Sequence, residues 1–297
     1  MMASMASAAD IPESDVVTPA AQALDELYFA GIAELYGGYA SLTNRAGNAT
    51  GDIDDTGYGL IGGAGRVSVP FLNMFSVQLD VEGENNFLDN ATSGQYAGSI
   101  LGAGHVSYRD PNMFLIGLFG GLGEVYIDGD DDADMAFAGV EGQYYWNDLT
   151  LYLQGGWLDG DDPDNSDVFH DAWFIRGEGR YFWGDNTMFS AQLAYANGEQ
   201  DSGSGYDMDV WGWGVRAEHQ FDQFHQFPVG VFAAYEGGHY DNGCCGPGDR
   251  GRYTEHVFLA GGKFVFGPPS LKQNDRGGAT LNLPRFGRWI GSGNAID

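Results

Sequence analysis

Three groups of residues have types and spacings suited to chemistry. His105-Val-Ser107 sets an imidazole and a hydroxyl two residues apart, so both lie on one face of an extended chain. A histidine in that position can take the proton of a serine nucleophile. Two acidic clusters, Asp128-Gly-Asp130-Asp131-Asp132-Ala-Asp134 and Asp159-Gly-Asp161-Asp162-Pro-Asp164-Asn-Ser-Asp167, offer hard oxygen ligands of the kind Ca²⁺ prefers. Asp128, Asp130 and Asp132 begin like a calcium loop, but the glycine at the sixth position and the glutamate at the twelfth are missing. Weak calcium binding is the most this cluster promises, and solvated loop charge is the plainer reading. The third group is charge repeating at alternate positions, as in Arg176, Glu178 and Arg180, or Arg216 and Glu218. There is no phosphate-binding glycine loop, no Cys/His zinc pattern and no nucleophile elbow, and no cofactor is expected.

The elements that carry these groups are set by composition. The chain has 297 residues, 42 Asp plus Glu against 13 Lys plus Arg, a formal charge of −29, and 48 glycines. A nucleic-acid partner needs a basic surface, and a pI of 4.1 has the wrong sign. With 43% hydrophobic residues and 14% aromatics the chain is not disordered. The longest nearly uncharged apolar run, 113–123, is well short of the ~20 residues of a membrane-spanning helix.

Strict two-residue alternation predicts strands instead. In 73–82, Phe75, Val77, Leu79 and Val81 share one face, while Ser76, Gln78, Asp80 and Glu82 share the other. Twelve such segments are expected: 28–42, 57–69, 73–84, 95–108, 112–125, 135–146, 149–158, 171–183, 187–198, 208–221, 228–240 and 252–266. They are longer than the ~5–6 residues usual in soluble sheets, and long enough to cross a bilayer at a tilt. Short connections (70–72, 109–111, 147–148, 184–186, 222–227) alternate with long, glycine- and aspartate-rich ones (43–56, 85–94, 126–134, 159–170, 199–207, 241–251). That alternation predicts an all-β, up-and-down antiparallel transmembrane barrel with short periplasmic turns and long extracellular loops. Tyr58, Tyr96, Tyr108, Tyr126, Tyr145, Trp146, Trp157, Trp173, Trp183 and Tyr240 lie near strand ends, where a bilayer interface favours amphipathic rings.

The chain resembles bacterial outer-membrane β-barrels of the porin-like superfamily over about residues 28–266. The last strand, Gly261-Gly262-Lys263-Phe264-Val265-Phe266, is similar to the glycine-then-alternating-aromatic ending of such barrels, although 31 residues follow it. The resemblance implies export to the bacterial outer membrane, with lipid and lipopolysaccharide as surroundings. His105-Val-Ser107 is similar to the His-x-Ser pair of outer-membrane phospholipases and lipid A deacylases, but it lies beside a short turn. No Asn or Glu partner is evident at that level, and Glu124 stands at the other end of the next strand.

Lipid offers no hydrogen-bond partners, so the sheet must close and turn its polar face inward. Parity then puts Glu34, Arg66, Asp80, Glu82, Glu141, Arg176, Glu178, Arg180, Arg216, Glu218, Glu236, Glu255 and Lys263 inside. These are eight acids and five bases, a lining that would pass small hydrophilic solutes and favour cations. Alternatively the charges pair off and fill the bore, which would leave a structural or surface-interaction barrel. A passive channel is the first expectation, the closed barrel the second and a lipid-modifying enzyme the third.

The ends are read separately. Residues 1–9 resemble the cleavage end of a signal peptide. Residues 10–27 form a periplasmic segment in which Thr18–Leu24 has the marks of a short helix. The tail 267–297 begins Gly-Pro-Pro and is locally basic. It either extends into the periplasm, the simpler expectation, or folds back to plug the acidic lumen. Cys244 and Cys245 either close a vicinal disulfide or remain thiols.

Overall fold

The computed structural model describes residues 27, 29–46, 56–87, 96–127, 132–161, 168–200, 206–221, 228–242 and 252–291. Twelve strands follow one another: β1 (Ala30–Ala46), β2 (Thr56–Phe71), β3 (Phe75–Phe87), β4 (Tyr96–Asp110), β5 (Phe114–Ile127), β6 (Ala133–Trp146), β7 (Leu149–Asp161), β8 (Phe169–Phe182), β9 (Thr187–Gln200), β10 (Tyr206–Gln220), β11 (Val229–Asn242) and β12 (Arg252–Phe266). Each pairs antiparallel with its neighbours in sequence, and β1 pairs with β12 to close the barrel. In that seam Gly31 stands opposite Phe266 and Glu34 opposite Lys263. Among the described strands closure leaves no unpaired sheet edge, as a hydrocarbon environment requires.

Each strand sorts its side chains by parity, because successive Cβ atoms point to opposite faces of a pleated sheet. On β3, Leu79 and Val81 are exposed on the outer wall while Ser76, Gln78 and Asp80 are buried inside. Leu35, Leu118, Leu122 and Leu193 continue the outer apolar surface around the barrel. So much contiguous apolar surface would aggregate in water, and it suits a bilayer. The 147–148 turn is tight, and Asn147 takes φ 52°, a left-handed conformation that asparagine tolerates better than most residues.

Two expectations are corrected inside the wall. Tyr58, Tyr96, Tyr145 and Tyr240 do not join an outer aromatic belt; they are buried and point inward. Trp146, Trp157, Trp173 and Trp183 do face outward. The inward face is also not polar throughout. Toward the long-loop end it carries Leu101, Phe119, Met135, Phe137, Leu158, Phe174 and Val210, packed as an apolar core. Where both faces of a strand are apolar, alternation cannot reveal which one is enclosed.

Over its described residues the tail does not extend from the barrel into the periplasm. Residues 267–291 turn back and run through the bore. Gly267 makes the reversal at φ 104°, where a Cβ would collide with the Phe29 carbonyl oxygen. Ser270 then caps α1 (Leu271–Gly277), its hydroxyl accepting from the Gln273 amide at 3.2 Å. An extended stretch leads to α2 (Phe286–Gly291). α1 sits at the short-turn end, where the Lys272 amide donates to the Asp185 carbonyl (3.0 Å) and Arg276 bonds the Asn147 carbonyl. α2 lies against β4–β8. Gly291 reaches Tyr96 and Val125, at the long-loop ends of β4 and β5. The tail therefore threads the barrel from one end to the other.

Candidate functional site: the charged bore

The structure places all thirteen residues of the parity list inside the barrel, together with Glu84, His105 and Arg109. The last three stand outside that list because 84 and 109 fall at strand ends and 105 is a histidine. Most of the charges link into a belt around the wall. Lys263 Nζ on β12 lies 2.5 Å from Glu218 on β10 and 3.6 Å from Glu34 on β1. Arg216 reaches both of those carboxylates at 3.0 Å. Arg66 on β2 spans Glu34 (3.8 Å) and Asp80 (3.7 Å). His105 stands between Asp80 (3.5 Å) and Glu141 (2.8 Å). Gln154 donates to Glu141 (3.3 Å) and accepts from Arg176 (2.8 Å). Arg176 and Arg180 share one oxygen of Glu178, each at 2.9 Å, and Arg176 reaches on to Gln192 of β9 at 2.7 Å.

Such a belt follows from strand geometry. Opposite charges on adjacent inward positions meet across a pair or two residues along one strand, and in a low-dielectric wall they must meet. The His105–Glu141 contact also supplies the carboxylate partner that inspection of the neighbouring strand does not suggest. Ser107, however, bonds the Ser76 hydroxyl at 2.8 Å and is buried inside the barrel. The described geometry pairs it with a second serine, not with His105, and keeps it away from the outer wall.

The tail completes the belt. Asp275 accepts from Arg180 (2.7 Å) and Thr150 (2.6 Å). Asn282 accepts from Arg180 (2.7 Å) at its side chain and from Gln154 (3.0 Å) at its carbonyl. The Gln78 amide bonds both backbone groups of Leu281, at 2.6 and 3.2 Å, as a neighbouring strand would. Arg109 donates to the Gly278 carbonyl at 2.8 Å.

A second tier lies nearer the long loops. There Arg285 and Arg288 of the tail meet Glu82, Glu84 and Glu236 of the wall. Glu255 accepts from Tyr58 (2.6 Å) and Tyr240 (3.4 Å). Above this tier Phe286 packs on Phe137 and Phe174, with ring centroids 4.7 and 5.0 Å away, and Trp289 packs beside it.

The tail does not fill the bore evenly. A cavity of about 120 Å³ remains between it and the wall of β8–β12 and β1–β3. Its lining carries six carboxylates and six cationic side chains. A smaller cavity of about 40 Å³ continues toward the long-loop end past Arg288 and Trp289, sharing Arg176, Gln192, Glu236, Pro284 and Arg285 with the first. The larger one has room for several waters.

Of the calcium candidates, Asp128 and Asp130 lie outside the described residues, and Asp132 is exposed just before β6. Among the described residues no group of three or more His, Cys, Asp or Glu is placed to hold a metal. Cys244, Cys245, Thr18–Leu24, residues 1–9 and the 222–227 turn also lie outside the described residues.

A closed twelve-stranded wall, apolar outside and charged within, defines a transmembrane barrel with the fold of bacterial outer-membrane proteins. Over 83% of this chain and 97% of the other, it superposes on an outer-membrane channel from Pseudomonas putida F1 with a TM-score of 0.51 at 12% identity. A FadL homologue of Pseudomonas aeruginosa matches at TM-score 0.43 and 9% identity over 81% and 90% of the two chains. The KdgM porin matches at 0.41 and 12% over 79% and 99%. No protein-family profile matches the sequence, and no curated protein matches it.

Proposed function

We propose that the protein is a passive outer-membrane channel whose conduit is the crescent between the C-terminal tail and the β8–β12 and β1–β3 wall. The observation that carries this reading is the polar cavity beside the tail, lined by fixed charges of both signs. Small hydrophilic solutes would diffuse along it with no chemistry done on them. The short turns, the start of β1 and the finish of β12 would face the periplasm, and the long loops the exterior.

The wall residues of the parity list favour cations by eight acids to five bases. With the tail in place, the crescent balances at six and six. A weak cation preference is therefore expected of the intact chain, and a stronger one once tail arginines are removed. Recording the purified full chain in a planar bilayer under a KCl gradient tests this. Small, steady steps with a reversal potential displaced slightly from zero toward the K⁺ equilibrium potential support it, and silence over many insertions overturns it.

The second reading, a barrel with a shut lumen that acts through its surface, is favoured by one feature: the apolar packing of Phe286 and Trp289 near the long-loop end. Silence in the bilayer would select it. Lipopolysaccharide bridged by divalent cations at the acidic loops would then be the natural contact.

A further inference from the structure

The two tiers of charge differ in where their counterions come from. In the belt, wall carboxylates meet wall cations. In the upper tier, among the described residues, the ion-pair partners of Glu82, Glu84 and Glu236 are Arg285 and Arg288, both on the tail. The wall thus supplies the carboxylates of this tier, and the tail supplies the guanidinium groups at ion-pair distance from them.

The contacts have the shape of guanidinium recognition rather than of simple charge neutralisation. Arg288 presents Nε and Nη2 to the two oxygens of Glu84 at 2.8 and 2.6 Å. Arg285 presents Nε and Nη2 to the two oxygens of Glu236 at 3.2 Å each. Both are parallel two-bond forks, which a planar guanidinium makes and a lysine ammonium cannot. Arg285 also bonds Glu82, lies 5.3 Å from the Tyr36 ring centroid, and donates through Nη1 to that residue's hydroxyl oxygen at 3.2 Å. Arg288 sends its third nitrogen to Glu236 at 3.1 Å. The tier borders both cavities, since Glu236 and Arg285 line each of them.

We propose that Glu82, Glu84 and Glu236 form a binding site for guanidinium-bearing solutes, which the tail's Arg285 and Arg288 occupy from within the same chain. The proposal rests on the channel reading and names the class of solute the conduit would select. The tail is then an internal competitor, and a solute that carries the same planar cation takes the place of its arginines.

The test uses the full chain in detergent, with calorimetric titration of L-argininamide and, as control, L-lysinamide. The double variant Arg285→Gln/Arg288→Gln should bind argininamide about tenfold or more tightly than the unsubstituted chain. It should prefer argininamide to lysinamide, and lose that preference when Glu236→Gln is added. Heat-modifiable gel mobility checks that each variant is folded. Should the double variant fail to fold, Arg285→Gln alone vacates the Glu236 fork and is expected to give the same ranking. Equal binding of the two amides, or equal argininamide binding with and without the tail arginines, overturns the proposal. Bilayer recording separates it from the channel reading: selective argininamide binding without conductance in any variant removes the channel and leaves the site. Conductance without selective binding removes the site and leaves the channel.

Discussion

Near the long-loop mouth one side of the bore is packed with rings, Phe119, Phe137 and Phe174 of the wall gathered around Phe286 and Trp289 of the tail. Midway along, the same wall and the same tail meet through Arg180, Asp275, Glu178 and Asn282. The upper contact is held by apolar burial and close packing, which are non-directional. The lower contact is held by charges removed from water, which are stable only as a completed set. One tail is therefore anchored twice by different physics, and the cavity of about 120 Å³ lies where the charges are.

That difference can be broken first at its ionic part. Arg180→Met leaves Glu178 with Arg176 alone and strips Asp275 of its guanidinium. It should cost about 3–5 kcal/mol, as breaking a buried pair does, and would be read as a lower midpoint in heat-modifiable mobility. Adding Asp275→Asn to that variant should recover part of the loss, because one stranded charge is then gone. Phe286→Ala comes next. The ring is fully buried, and its removal should cost about 3 kcal/mol, at the low end for Phe-to-Ala because neighbouring rings can close in. Noisier bilayer steps should accompany it. Ile290→Val trims one methyl from the same buried contact and should cost about 0.5–1.5 kcal/mol in the same mobility assay. Lys272→Ala is the smallest. Lys272 meets a half-exposed Asp148 at the rim, 2.6 Å away, and its loss should stay within about 1 kcal/mol and shrink further at high salt.

Much of this was legible in the residues. Alternation on β3 set the face of each side chain from Phe75 to Glu82. Paired short and long connections set an antiparallel barrel, and the Gly-Pro-Pro at 267–269 set the end of β12. Parity also placed Arg176, Glu178 and Arg180 on the enclosed side. The rest was hidden for physical reasons. Tyr58 and Tyr240 look like interfacial rings, yet their hydroxyls are drawn inward by Glu255. Phe119 and Phe137 sit on strands with apolar residues on both faces, so no pattern marks them as enclosed. The tail's basic character pointed to an acidic partner, but its path depends on partners two hundred residues away, such as Arg288 with Glu84. Nothing local encodes that separation.

The central claim is that the tail occupies the bore and leaves the conduit to one side. The most direct test compares single-channel current of the full chain with that of a chain ending at Pro269, both folded by the mobility criterion and recorded in the same bilayer. A several-fold larger, more cation-selective step from the shortened chain is the predicted result. Indistinguishable conductance and selectivity would contradict it.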